Sequence, residues 1–289
     1  MTVLTIRPMT PEDVPVAIGL ALAEGWHDRT RFFDVVFGTR TCRALVGEID
    51  GRVVATGLAV INGPVGWLGG LIVDRDWRGH GFGRTMTEEL IRRLRAAGCG
   101  TLSLEATDAG RPMYERMGFR TLTRYHQLEA GFMRCRPELP PDRRVRPMTP
   151  NDLPAVITLD RLATCEDRSM PLGVLFGLNG GWILEPAAGA GSGTAEPSPV
   201  GFLLPAERAY GAVVAPRFED GLFLLDLHRS IIAETGSVRA GIPDEHIAAW
   251  QELERRGWKE TWHAPRMIIG PAPAWRPEWI WGQINSAMG

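Results

Sequence analysis

The sequence predicts two tandem copies of an α+β domain, each built on a mixed sheet. Three observations point there. The chain has 289 residues, 44% of them hydrophobic, and at roughly 150 residues per domain this gives two cores or one large one. The string Arg7-Pro8-Met9-Thr10-Pro11-Glu12-Asp13-Val14-Pro15 returns as Arg146-Pro147-Met148-Thr149-Pro150-Asn151-Asp152-Leu153-Pro154, 139 positions on. Glu115-Arg116-Met117-Gly118-Phe119 and Glu254-Arg255-Arg256-Gly257-Trp258 repeat the shift at the other end of the unit. A period this long marks a duplicated domain and not a solenoid of short repeats. Strand-like and helix-like stretches also alternate in the order strand, two helices, hairpin, strand, helix, strand, helix, strand.

Each element of the first copy has a local cause. Leu4–Arg7 reads as a short strand. Thr10 or Pro11 opens a helix whose apolar positions Val14, Ile18 and Ala21 or Leu22 recur at helical spacing, and a second helix covers Phe32–Phe37. Arg43–Ile49 and Arg52–Val60 are strands joined by Asp50-Gly51, which supplies the positive φ angles of a tight hairpin. Trp67–Val73 is a further strand, with Gly69-Gly70 marking a bulge or close backbone approach. A helix with Met86, Leu90, Ile91 and Leu94 on one face follows and stops at Gly98. Thr101–Ala106 is a strand, Arg111–Met117 a short helix ending at Gly118, and Phe119–Leu128 returns to β.

Between the copies, residues 134–144 are Pro-rich and charged, the composition of an exposed linker. The boundary is expected there, giving domains 1–138 and 139–289. The 32 Lys+Arg against 34 Asp+Glu leave a formal charge of −2, so no global basic field exists to hold nucleic acid. Cys42, Cys99, Cys135 and Cys165 stand far apart, without disulfide or zinc-knuckle spacing, which predicts a reducing compartment and no metal. The N-terminus lacks a signal peptide's pattern, and no run reaches the ~20 apolar residues that span a bilayer. A cytoplasmic protein without membrane contact is the expectation.

The strongest chemical feature is Arg78-Gly79-His80-Gly81-Phe82-Gly83-Arg84, lying between a strand and a helix. A helix start leaves backbone N–H groups pointing outward, and glycines let an anion approach them closely, so a phosphate or pyrophosphate fits. The alternative is a turn whose glycines merely satisfy backbone geometry. The string is no Walker loop. It departs from a dinucleotide fingerprint where Arg84 replaces the third glycine, although Glu105 sits near the position of a ribose-binding acid.

With Leu71-Ile72-Val73-Asp74 before it, this loop resembles the Arg/Gln-x-x-Gly-x-Gly/Ala signature of the GCN5-related N-acetyltransferase (GNAT) family. Tyr114-Glu115-Arg116-Met117-Gly118-Phe119 is similar to that family's Tyr-x-x-x-Gly-Phe. The resemblance spans residues 3 to about 128 and implies the acyl-CoA N-acyltransferase fold. It also implies acetyl-CoA as co-substrate, its pyrophosphate on the N–H groups of residues 79–84 and its pantetheine along Leu71–Val73, with Arg84 adding charge. His80 is expected to be a loop side chain.

Direct transfer from a thioester to an amine needs an oxyanion donor, for which a strand N–H at Ile72 or Val73 is suited. Tyr114, with an ordinary pKa of about 10, matches a leaving thiol as proton donor, or else is a core tyrosine. Glu105 is the first candidate base, with Glu24 and His27 behind it; each has a structural or surface role as its alternative. The implied reaction is acetyl transfer to a primary amine of a small molecule, amino acid or peptide. A non-catalytic acyl-CoA-binding regulatory module is the reading from another class, and a nicotinamide-dinucleotide enzyme a weaker third.

In the second copy, the shift carries Arg78 to Arg217, but Phe218-Glu219-Asp220-Gly221-Leu222 follows, and Tyr114 becomes Leu253. Two carboxylates in the cradle oppose an anion, so this copy is expected neither to bind CoA nor to catalyse, and to wall the acceptor side instead. Val200–Leu204, Tyr210–Ala215 and Leu222–Leu227 read as strands, Ile247, Trp250 and Leu253 as a helix face, and Pro186–Pro199 as a flexible hairpin tip. Trp258, Trp262, Trp275, Trp279 and Trp281 near the C-terminus fit an acceptor pocket, a subunit contact in an oligomer, or packing of the tail on its own domain.

Overall fold

The computed structural model describes residues 3–26, 30–187, 199–206 and 210–289. Contacts divide the chain into two compact units. The first holds residues up to Arg120 together with Met267–Ala272 and Ser286–Met288. Among the described residues, no helix is long and apolar enough to cross a membrane, and the four cysteines are free thiols.

In the first unit, β1 (Thr5–Pro8), β2 (Cys42–Ile49), β3 (Arg52–Asn62) and β4 (Val65–Val73) pair in sequence as antiparallel neighbours. The β2–β3 turn carries Asp50 at φ 50° and Gly51 at φ 78°, the left-handed pair that its Asp-Gly predicts. β5 (Thr101–Glu105) joins β4 in parallel over Val65–Trp67 and Thr101–Ser103. A single 3-10 turn at Pro11–Asp13 precedes α1 (Val14–Ala23), and α2 (Thr30–Gly38) follows. On α1 the buried residues are Ala17 and Ala21, while Leu22 faces outward. α3 (Phe82–Ala96) buries Met86, Leu90 and Leu94 against the sheet, as its apolar stripe requires. α4 (Arg111–Arg116) ends at Gly118, which has a φ of 92°.

The repeated N-terminal motif has a structural purpose. Arg7 on β1 donates to both oxygens of Asp13, at 2.6 and 2.8 Å, and to Glu48 of β2 at 2.6 Å. Asp13 also accepts the Thr10 backbone N–H at 2.8 Å, closing the helix entry. The Arg7 guanidinium holds the Asp13 carboxyl down to about 2, below its ordinary value. In the second unit Arg146 repeats the pattern with Asp152, at 2.8 and 2.7 Å, and with Glu185 at 2.7 Å.

The second unit starts with β6 (Arg120–Gly131), whose residues from Thr121 on belong to it. β7 (Arg143–Pro147), α5 (Leu153–Thr164), α6 (Ser169–Asn179), β8 (Trp182–Pro186), β9 (Gly201–Pro205) and β10 (Gly211–Val214) follow. Then come α7 (Phe218–Ile231), β11 (Ser237–Pro243), α8 (Ile247–Arg255), β12 (Lys259–Ile269) and β13 (Ile280–Gly282). One sheet runs β13-β10-β9-β8-β7. β6 lies between β11 and β12, antiparallel to β11 from Tyr125↔Pro243 to Gly131↔Ser237. Of the hairpin tip expected at Pro186–Pro199, residues 188–198 lie outside the described residues.

Two expectations change. Leu222–Leu227 is not a strand but the middle of α7, a helix buried from Asp220 to His228. A continuous apolar run has no period that separates a buried helix from a buried strand. The boundary expected near residue 140 also differs from the division by contacts, which falls after Arg120. The Phe119–Leu128 strand, expected to close the first copy, pairs instead with β11, whereas β5 is flanked by β12, whose Met267–Ile269 end belongs to the first unit. Each copy therefore contributes its last long strand to the other unit. The first unit depends on the loan: Met267 is fully buried in its core, the Thr101 hydroxyl donates to the Pro271 carbonyl at 2.6 Å, and Asn62 Nδ2 to the Met288 carbonyl at 3.0 Å.

Candidate active site

β4 is bulged at the point its glycine pair predicts. Opposite Thr56 and Leu58 of β3 stand Ile72 and Gly69, so β4 carries an extra residue there, with Gly70 at φ 56°. The Thr56 hydroxyl donates to the Gly70 carbonyl at 2.9 Å and pins the distortion. The ladder with β5 stops at Trp67–Ser103, and β4 runs on for six residues without it. The two parallel strands thus part beyond Trp67, and backbone groups of Leu71–Val73 are left for a ligand lying along the strand.

The glycine loop starts where β4 ends. Gly79 and Gly81 adopt φ 81° and 84°, conformations that L side chains rarely take, and a Cβ on either would stand in open space. Gly81 caps α3, and the Thr85 N–H is bonded to the Gly81 carbonyl at 3.0 Å, so the N–H groups of Phe82, Gly83 and Arg84 precede the helical ladder. With a 15-residue helix behind them and no acidic residue in its first turn, these groups form an anion cradle. His80 stacks on Phe82, ring centroids 5.6 Å apart, and its Nδ1 lies 3.0 Å from the Arg78 carbonyl. It braces the loop.

A cleft of about 740 Å³ joins these parts: Leu71, Ile72 and Val73, the loop from Arg78 to Arg84 except His80, and Tyr114 of α4. Tyr114 is nearly buried, with its ring edge-on to Phe119 at 5.7 Å. Burial pushes its hydroxyl up to about 12, so it remains protonated throughout the neutral range.

Three expected residues behave differently. Glu105 closes β5 outside the cleft lining. Glu24 does line the cleft, but its Oε1 accepts from Arg78 Nη2 at 2.6 Å and Arg75 Nε at 2.9 Å, and the Arg78 hydrogen bond lowers its pKa. It anchors Arg78, whose Nε also donates to the Val73 carbonyl at 3.0 Å. Arg78 thereby ties α1, β4 and the loop together. His27 lies outside the described residues. Sequence reasoning missed Trp26, Thr107 and Met113, all on the lining; none belongs to a motif.

Residues 17–119 match the acetyltransferase (GNAT) family. The first unit is a GNAT domain. The chain is 32% identical over 65 residues to a glucosamine 6-phosphate N-acetyltransferase of Trypanosoma brucei brucei, covering 22% of this chain and 44% of that one. It thus spans less than half the length of that relative. In fold it is similar to an acetyltransferase of Pyrococcus horikoshii, with a TM-score of 0.81 and 18% identity over 99% of this chain and 96% of that one. A tandem GNAT protein from the clavulanic acid biosynthesis pathway gives 0.63 and 15% identity over 93% and 100%. The fold is that of tandem GNAT domains, as the resemblance of the two motifs implied. The GNAT family generally uses acetyl-CoA.

In the second GNAT-like unit the corresponding space is filled from within. β13 pairs with β10, Val214 opposite Ile280 and Val213 opposite Gly282, as a ligand would lie along β4 in the GNAT domain. Trp281 donates its indole N–H to the Ala215 carbonyl at 3.2 Å and lies on Gly221 in the first turn of α7, where a Cβ would come within 2.0 Å of the ring. Asp220 is buried and accepts from Arg143 Nε at 2.9 and 3.0 Å, while Arg217 binds Asp142 at 2.7 Å. Its carboxylate is thus turned to its own arginine.

Proposed function

We propose that the chain is an acetyl-CoA-dependent N-acetyltransferase whose GNAT domain moves an acetyl group to a primary amine of a small molecule, amino acid or peptide. The observation that carries this is one cleft in which the anion cradle, the parted edge of β4 and a buried, protonated tyrosine converge. The cradle suits a pyrophosphate, since a Cβ at Gly79 or Gly81 would stand in the open space in front of those N–H groups.

Acetyl-CoA supplies a thioester whose carbonyl carbon accepts the amine nitrogen while the carbon–sulfur bond breaks. Backbone N–H groups at the β4 bulge, near Ile72, stabilise the negative charge that gathers on the carbonyl oxygen. The Tyr114 hydroxyl gives its proton to the departing sulfur. The amine's surplus proton leaves through water, because Glu24, the carboxylate lining the cleft among the described residues, is held ionised by Arg78. The second GNAT-like unit binds no CoA, in keeping with β13 and Trp281 filling its cleft.

The test is thiol release on mixing the protein with acetyl-CoA and a panel of amines. Tyr114→Phe should lower kcat by about 10²–10⁴-fold, the usual worth of a general acid, with CoA affinity unchanged. Calorimetric titration should give one CoA per chain. Tight CoA binding without turnover across the panel would replace the enzyme with a regulatory acyl-CoA-binding module. Two equivalent CoA sites would refute the closed second cleft.

A further inference from the structure

The second unit holds a group of side chains that acetyl transfer does not use. His126 on β6 and Glu260 and His263 on β12 each offer one ligand atom, and these atoms lie within 4.8 Å of one another. Glu260 Oε1 is 3.0 Å from His126 Nδ1 and 2.9 Å from His263 Nδ1, so both imidazoles converge on one carboxylate oxygen. We propose that His126, Glu260 and His263 form a binding site for a divalent transition-metal ion of the zinc type.

The donor set is two imidazole nitrogens and one carboxylate oxygen, which suits zinc, copper or nickel and not magnesium or calcium. With bonds of about 2.0–2.1 Å, a tetrahedral ion spaces its ligands by about 3.3 Å. The three atoms need to part by only a few tenths of an ångström. The ring of His126 is already oriented. Its other nitrogen, Nε2, lies 2.7 Å from Asp244 Oδ1, and its face stacks on Trp250 with centroids 5.3 Å apart. A carboxylate behind a histidine fixes which nitrogen is free for the metal and raises that ligand's basicity. His263 is half exposed, which gives an ion its way in and leaves a fourth position for water. The alternative is a hydrogen-bonded pair of histidines on a shared carboxylate. In that case the cluster holds protons and not metal.

Equilibrium dialysis of the untagged full chain against micromolar Zn²⁺, followed by elemental analysis, separates the two. The expected result is one zinc per chain and a rise in the thermal midpoint on adding zinc. His263→Ala and Glu260→Gln, both changes at partly exposed positions, should abolish the rise and the bound equivalent. Asp244→Asn, a positioning change, should weaken binding by about 10–100-fold. Cobalt(II) bound in place of zinc should show the visible absorption of a tetrahedral ion. Retention of less than a tenth of an equivalent by wild type, or unchanged binding in His263→Ala, overturns the site. Near-ultraviolet circular dichroism of each variant shows that it is folded, so a loss of binding reports the ligand.

Discussion

Replacing Gly81 with alanine separates the two meanings of the glycine loop. Gly81 has a φ of 84°, and its added methyl would meet no protein atom within 4 Å. Without ligand the only cost is the left-handed backbone, about 1–2 kcal/mol for an L residue, which lowers the melting midpoint of a domain this size by a few degrees. With CoA the methyl stands where the phosphate must approach. Losing two charge-assisted hydrogen bonds at about 1.5 kcal/mol each costs roughly 3 kcal/mol, or about a hundredfold in Kd. Calorimetric titration with CoA and a melt of the ligand-free protein measure the two effects separately. If the midpoint falls but the CoA affinity stays within about threefold of wild type, the glycines serve backbone geometry alone, and the cradle is wrongly assigned.

Other changes probe the rest of the molecule. Met267→Ala, at a fully buried position in the first unit's core, should cost about 2–5 kcal/mol, and melts monitored through CoA binding should show the loss in that unit. Asp13 is held at about 2 against an ordinary 3.8, so its contribution is complete above pH 4 and fades as the pH falls toward 2. Melts from pH 6 to pH 2 should therefore show Asp13→Asn destabilised at pH 6 and converging on wild type at the acid end; a constant gap would contradict the pairing. Gly221→Ala should drive the Trp281 indole from its place, costing about 1–3 kcal/mol and altering the near-ultraviolet spectrum, while leaving CoA affinity at the GNAT domain unchanged.

Much of the GNAT domain was legible because its signals are local. Asp50-Gly51 encodes its own turn, the stripe Met86, Leu90 and Leu94 its own buried face, and the loop glycines their own φ angles. What was illegible depends on partners distant in sequence. Leu222–Leu227 is surrounded by apolar neighbours, so burial on all sides erased the period that would have identified a helix. Glu105 ends the expected strand, but whether it reaches the cleft depends on how β4 and β5 part. Glu24 looks like a base until Arg75 and Arg78, over fifty positions away, are seen holding it. No spacing rule links His126 to Glu260 and His263.

The reciprocal loan of β6 and β12 ties the order of synthesis to the order of folding. A chain made from its N-terminus usually completes its first domain while the second is still being built. Here the wall beside β5 and the partner of Asn62 come from Met267–Ala272 and Met288. The catalytic half must wait, with that side of its sheet uncovered, until nearly the whole polypeptide has left the ribosome. Cutting the chain within residues 134–144 would leave that half without its closing strand. The duplication therefore yields two units that mature together and cannot be inherited, lost or expressed one at a time.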